Sequence, residues 1–397
     1  MDNSTVRAVN RLTKRWAAQA PVKDAGTVFT AAGVWPLLAL LADGSAGPAR
    51  AELAEALGIP AQAAAEAARE LLAGLGGVRG LQAATGLWTK DELPLKEDWS
   101  AKLPAGTRGR LTGDEDTDRE ALDRWARDRT DGLIDRMPVA LPEGDEEAKL
   151  ILASALALRL RWEHPFRELN GRAGQGPWAG RNVPWLSRTT PSLDDVRVAR
   201  GTAGAVTVLE VAGTDDVDVH LLLGEPAAPA DQVLETGIAA VTGTAPPVTG
   251  SSLPEGDPGP GLTVRTVDSY AAQPQLRVDT VAFSLHAEHD LLEHAPLFGL
   301  ETAADADHGH FPGISPVPLA IGAARQSVLA RFHAAGFEAA AVTAVRAGFG
   351  GAAPRAKYRA RRAEVRFDRP FGFLAVHRTS RLVLAAGWVA EPGTVGG

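Results

Sequence analysis

Gly336-Phe337-Glu338-Ala339-Ala340-Ala341-Val342-Thr343-Ala344-Val345 is the stretch on which the reading of this chain turns. It carries a single charge among small and β-compatible residues, a composition that suits a strand awaiting a partner better than an ordinary connection. At period two, Phe337, Ala339, Ala341, Thr343 and Val345 share one face, while Glu338, Ala340, Val342, Ala344 and Arg346 share the other. Both charges fall on the same face, which leaves the opposite face free to become buried. Alanine's helix propensity alone would make the stretch a surface helix, and it is the motifs around it that reverse that reading. Residues 347–362 hold four glycines or prolines and five basic residues and read as an exposed, protease-accessible loop.

Working outward, strand patterns follow the loop at residues 364–367, 373–376 and 382–389. Upstream, residues 205–211 and 217–223 are β-rich runs joined by Gly213-Thr214-Asp215-Asp216, a hairpin signature. Residues 231–241 read as a helix, and residues 246–261, rich in Pro, Gly and Ser, as a long surface loop, with β-like runs resuming at 262–267 and 276–285. From Leu156 the pattern alternates, with Leu156, Leu158, Leu160 and Trp162 on one side and Arg159 and Arg161 on the other, which predicts one strand. The first quarter is helical: residues 6–18, 34–41, and two segments opened by Pro48 and Pro60, where proline suits a first turn. Residues 86–88 look strand-like. Residues 117–129 return to helix with Leu122 and Trp125 on one face. No repeat of fixed period is present.

At 397 residues the chain could hold several domains or one large mixed one. A composition of 45% hydrophobic and 23% charged residues, with net charge -8, is that of a globular protein and does not favour nucleic acid or an anionic membrane as partner. The absence of cysteine excludes disulfides, thiolate zinc sites and a cysteine nucleophile together. Arg7, Arg11, Lys14 and Arg15 interrupt the apolar residues of the N-terminal stretch, so it lacks the apolar segment of a secretory signal and the chain as written reads as cytoplasmic. The apolar runs 33–42, with Pro36, and 151–158 are too short to span a bilayer and read as core. Only seven of 41 basic residues are lysine, a bias read here as the mark of a GC-rich coding sequence and thus a bacterial source. Enzyme motifs fail in detail: Gly44-Ser45-Ala46-Gly47 lacks the spacing of a nucleophile elbow, and residues 348–351 are not followed by the helix a phosphate loop needs. His286, His289, His294, His308 and His310 do not collect on one face, so no metal is expected.

The hinge stretch resembles that of the serpin family: Gly336-Phe337-Glu338-Ala339-Ala340-Ala341 is similar to the family's Gly-Thr-Glu-Ala-Ala-Ala, and Val365-Arg366-Phe367-Asp368-Arg369-Pro370-Phe371 to its post-loop strand and turn. The resemblance extends over nearly the whole chain. Trp125 with Thr130-Asp131-Gly132-Leu133-Ile134 looks like the end of the sixth family helix, Leu141-Pro142-Glu143-Gly144 like the turn after it, and Phe311-Pro312-Gly313-Ile314-Ser315 also fits. Arg161-Trp162-Glu163-His164-Pro165-Phe166 resembles Lys-Trp-x-x-Pro-Phe, which places Trp162 at the breach where the loop begins to insert.

What the resemblance implies is one α+β domain over residues 1–397, with helices packed on three β-sheets and a reactive-centre loop within 336–362. It implies a monomeric suicide-substrate inhibitor of serine proteases without a cofactor, whose cut loop enters the central sheet. The alternative is a non-inhibitory binding or chaperone-like protein of the same fold. Three departures bear on the choice. Phe337 stands where the family has Thr or Ser, while Ser154 and Gln326 stand where it has Asn and His in the shutter beneath the sheet. Counting forward from Gly336 puts the scissile bond at Gly350-Gly351, and counting back from Glu364 puts it at Arg359-Ala360. The forward count, preferred because about nine extra residues at about 3.3 Å each would leave slack, implies a chymotrypsin-, elastase- or subtilisin-like target. The backward count implies a trypsin-like one.

Overall fold

Asp2 accepts hydrogen bonds from the N–H groups of Ser4 (2.7 Å) and Thr5 (3.0 Å) and so starts α1 (Asn3–Ala17), whose Val6, Val9, Leu12 and Trp16 recur at helical spacing and are buried. The computed structural model describes residues 1–20, 26–139, 149–174, 176–305, 308–337 and 357–393. α2 (Ala31–Gly44) is apolar on every side because it is enclosed on every side: only Asp43 among its residues is not buried. α3 (Gly47–Leu57) takes Pro48 into its first turn and α4 (Ala61–Gly76) follows Pro60, as the sequence predicts. α5 (Glu97–Ser100), α6 (Glu115–Arg129), α7 (Ala230–Val241) and α8 (Ala295–Phe298) complete the helices among the described residues. None is long and apolar enough to cross a membrane.

The described strands form four sheets. One has the order β1 (Gly26–Phe29), β20 (Val383–Val389), β19 (Phe371–His377), β10 (Val217–Leu223), β9 (Gly204–Val211), β8 (Val196–Gly201), β11 (Val248–Thr249). A second runs β12 (Gly256–Gly259), β13 (Leu262–Ser269), β18 (Tyr358–Arg366), β14 (Gln275–Val281), β7 (Asn182–Thr190), β6 (Arg167–Arg172). The third is β15 (Phe283–Asp290), β16 (Ala320–Phe332), β4 (Lys149–Leu158), β2 (Leu81–Lys90), β3 (Arg108–Leu111). A two-stranded ladder joins β5 (Leu160–Arg161) to β17 (Gly336–Phe337). In β4, Leu150, Leu152, Leu156 and Leu158 join the main core, while Ile151, Ala153 and Ala155 face a second cluster with Leu122 and Ala126 of α6. The third sheet is thus covered on both faces, with small residues under α6.

Four expectations are corrected. The strand expected from Leu156 to Trp162 breaks at Arg159, whose N–H donates to Gly80 O at 2.7 Å, so that β4 ends and β5 begins a different ladder. The run 276–285 is two strands in two sheets, divided at Ala282. The supposed loop 246–261 holds β11 and β12, short edge strands on two sheets. Residues 358–362 are not loop: they begin β18, which lies between β13 and β14. The turn expected at residues 141–144 lies outside the described residues.

Candidate functional site

β4 and β16 lie side by side and parallel, from Ala320 opposite Lys149 to Leu329 opposite Ala157, with a one-residue shift of register between Ile321 and Ala323. Their outer neighbours are antiparallel: β2 on β4 and β15 on β16. After Phe332 the chain turns and returns as β17, antiparallel to β5, with Gly336 opposite Arg161 and Phe337 opposite Leu160. A chain continuing in that direction would run antiparallel to both β4 and β16. Parallel pairing is slightly the weaker kind, so the one parallel seam between long strands of this sheet lies where an incoming strand would convert it into two antiparallel ladders.

The mouth of that seam is built from aromatic rings. Trp162 is buried; its indole Nε1 donates to His333 O (2.9 Å) and its backbone N–H to Ala335 O (3.1 Å). Its ring lies 4.9 Å from that of Phe332 and 6.4 Å from that of Phe337. Phe166 N–H donates to Ala334 O at 2.8 Å, so the segment 162–166 holds the turn before the hinge along its length. Phe337 is fully buried and also packs near Phe373, at 6.3 Å. Gly336 is required by close approach, since a Cβ there would stand 2.0 Å from Leu160 O.

At the middle of the seam Gln326 lies directly opposite Ser154, in a row that continues to His289 on β15 and Thr85 on β2. The Gln326 amide donates from Nε2 to Thr30 O (2.8 Å) and accepts at Oε1 from Thr30 N–H (3.0 Å), binding the residue that caps α2 as a second peptide group would. Ser154 is fully buried and its hydroxyl has no partner among the described residues. Gly33 makes room for it: a Cβ at that position would lie 2.5 Å from Ser154 Oγ. Sequence reasoning placed Ser154 and Gln326 together but missed Thr30 and Gly33. Their signal was available, a Thr N-cap followed at the third helical position by glycine in an apolar run.

The expected hinge residues Glu338, Ala339, Ala340, Ala341 and Thr343, and the bond Gly350-Gly351, lie outside the described residues. Arg359 and Ala360 are described, and they sit in β18 opposite Asp268 and Val267, with Ala360 buried. Two residues of the basic run are tied down beside it: Arg362 Nη2 donates to Gln275 Oε1 (2.7 Å) and Arg361 Nη2 donates to Leu253 O.

A mixed α+β molecule whose chain turns back at Gly336 and Phe337 beside a parallel seam of its central sheet defines the class. The chain belongs to the serpin family: the family model described as Serpin (serine protease inhibitor) matches residues 6–175 and 263–392. The native-state structure of the thermophilic serpin tengpin is similar over 98% of this chain and 95% of that one, with TM-score 0.74 and 14% identity. Human thyroxine-binding globulin complexed with thyroxine is similar over 99% of both chains (TM-score 0.73, 16% identity). Serpin48 of the insect Tenebrio molitor, titled a highly specific serpin, is similar over 99% of both chains, with TM-score 0.72 and 17% identity. No curated protein matches the sequence.

Proposed function

We propose that this protein is a monomeric suicide-substrate inhibitor of serine proteases. The observation that carries the reading is the parallel β4–β16 seam with the hinge turning back beside it. The protease serine attacks the loop carbonyl, an ester forms, and the amine of the following residue leaves as a new N-terminus. The freed strand then enters the seam and draws the acylated protease with it before water can cleave the ester. Residues 338–350 number thirteen, the length of β16, so a strand ending at Gly350 would span the sheet from end to end. This supports Gly350-Gly351 as the scissile bond, and the placement of Arg359 and Ala360 inside β18 argues against the other count. Phe349 and Gly350 suit a chymotrypsin-, elastase- or subtilisin-like target.

A binding role is the second reading, favoured by a cavity of ≈ 590 Å³ between α1, α7 and the β19–β20 turn. Its floor includes Val6, Ile238 and Ala239 and its rim Arg7, Arg11, Lys14 and Arg381, an arrangement for an amphipathic anion. Incubation with trypsin, chymotrypsin and subtilisin decides between the two. A complex stable in denaturant, with release of a peptide beginning at Gly351, is the expected result. Cleavage with every protease left active and no gain in heat stability would reject inhibition.

A further inference from the structure

A second cavity, of ≈ 430 Å³, opens beside the segment 164–167 and the end of β7, lined by His164, Pro165, Arg167 and residues 187–191. Among the described residues no acidic side chain lines it, while Arg188 and Arg167 do. Arg188 is 7% exposed, and its guanidinium forms no ion pair among the described residues. It is held by backbone carbonyls instead, with Nη1 donating to His164 O (2.8 Å) and Nη2 to Glu210 O (3.4 Å), and it stacks 4.5 Å from the centre of the Phe166 ring. Two of a guanidinium's five N–H groups are thus used, and Nε has no partner among the described residues. Thr190, on the same face of β7 two residues on, is 5% exposed and its hydroxyl is also unpartnered. Arg167 stands exposed at the rim, opposite Ser187 in the β6–β7 ladder. Burial pulls Arg188 down to about 10, and Asp195, which attracts it, lies beyond ion-pair distance.

We propose that this cavity is a binding site for a small oxyanion, a carboxylate or phosphate group that docks on the free N–H edge of Arg188 and the Thr190 hydroxyl and is closed over by Arg167. A buried cation held by carbonyls and a ring face, with an unpartnered donor enclosed beside a cavity that no described acidic side chain lines, is the arrangement in which an anion supplies the missing charge. The residues that build the floor, 187–190, fall in the stretch 176–262 that the family model leaves unmatched. The cavity wall at His164, Pro165 and Arg167 flanks Phe166, whose N–H holds Ala334, so an occupant braces the turn before the hinge. The site does not depend on the protein being an inhibitor.

Calorimetric titration of the full chain with inorganic phosphate and with acetate, against chloride at equal ionic strength, tests it. Saturable binding of phosphate, acetate or both beyond chloride is expected, and which of the two binds identifies the group. Arg188→Met should abolish it, and Arg167→Gln and Thr190→Val should each weaken it about tenfold. If Arg188→Met does not fold, the other two variants decide. No saturable binding of either anion, or undiminished binding in folded Arg188→Met or in both of the other variants, overturns the proposal.

Discussion

At the scale of the residue, two neighbours in one row carry opposite expectations. Gln326→Ala strips both hydrogen bonds from the Thr30 backbone, which is 1% exposed, and leaves a buried N–H and C=O unmet, a cost of about 2–4 kcal/mol. Ser154→Ala removes a hydroxyl that bonds to nothing and should cost about nothing. Denaturant unfolding of the two variants checks the contrast, and equal losses would show that Ser154 has a partner in solution. Phe337→Thr is the third test. It empties an aromatic pocket, lowering stability by about 3 kcal/mol, but it also unpins the hinge from Trp162 and Phe373. The same variant should therefore give a higher ratio of trapped to merely cleaved protease. A lower ratio would mean that the ring guides insertion rather than delaying it. The sequence shows Phe337 as a bulky residue on the inserting face, but not that it is already buried, because the rings that receive it lie as far as Phe373 along the chain.

Among elements, β18 has an unusual setting for a strand that follows the proposed reactive-centre loop. It is paired from Leu262–Val365 to Ser269–Tyr358 on β13 and from Gln275–Arg362 to Asp279–Arg366 on β14. An uncut loop could enter the seam fully only by drawing β18 out of both ladders. Hydrogen exchange should accordingly find the amides of residues 359–366 protected to the level of the core, before and after cleavage at 350–351. Exchange as fast as that of a free terminus would show the clamp is not held. Helices α1 to α4, α6 and α7, the β9–β10 hairpin and the strands at 262–267, 373–376 and 382–389 were legible in the sequence, because capping, periodicity and turn residues are local. What was missed was hidden by long-range pairing. β11 and β12 are strands only because β8 and β13 offer them edges, and the apolar run 276–285 conceals a change of sheet at Ala282 that no local signal marks. The basic residues 359–362 look solvated until β13 is placed beside them.

For the molecule as a whole, stability depends on how folding changes proton uptake, and one buried and one half-buried group pull in opposite directions. His220 lies fully buried in β10 with no partner on either ring nitrogen among the described residues, and burial lowers it to about 3, against a smaller opposing pull from Asp218. Between pH 6.5 and 3 the unfolded chain holds a proton there that the folded one does not, so stability is present above 6.5 and is lost as pH falls. At about 1.4 kcal/mol per unit, roughly 3 kcal/mol is gone by about pH 4.5. Asp195 has the other sign: burial raises it to about 6, so its contribution is present below about 4 and is lost as pH rises through 6. Measured as a difference from the parent, His220→Leu should therefore flatten the acid side of the stability curve by about 2–3 kcal/mol, and Asp195→Asn should steepen it. If the His220→Leu curve ran parallel to that of the parent from pH 7 to 4, the ring would have to reach water or a partner in solution, and the enclosure of β10 between its neighbouring strands would be looser than its burial implies.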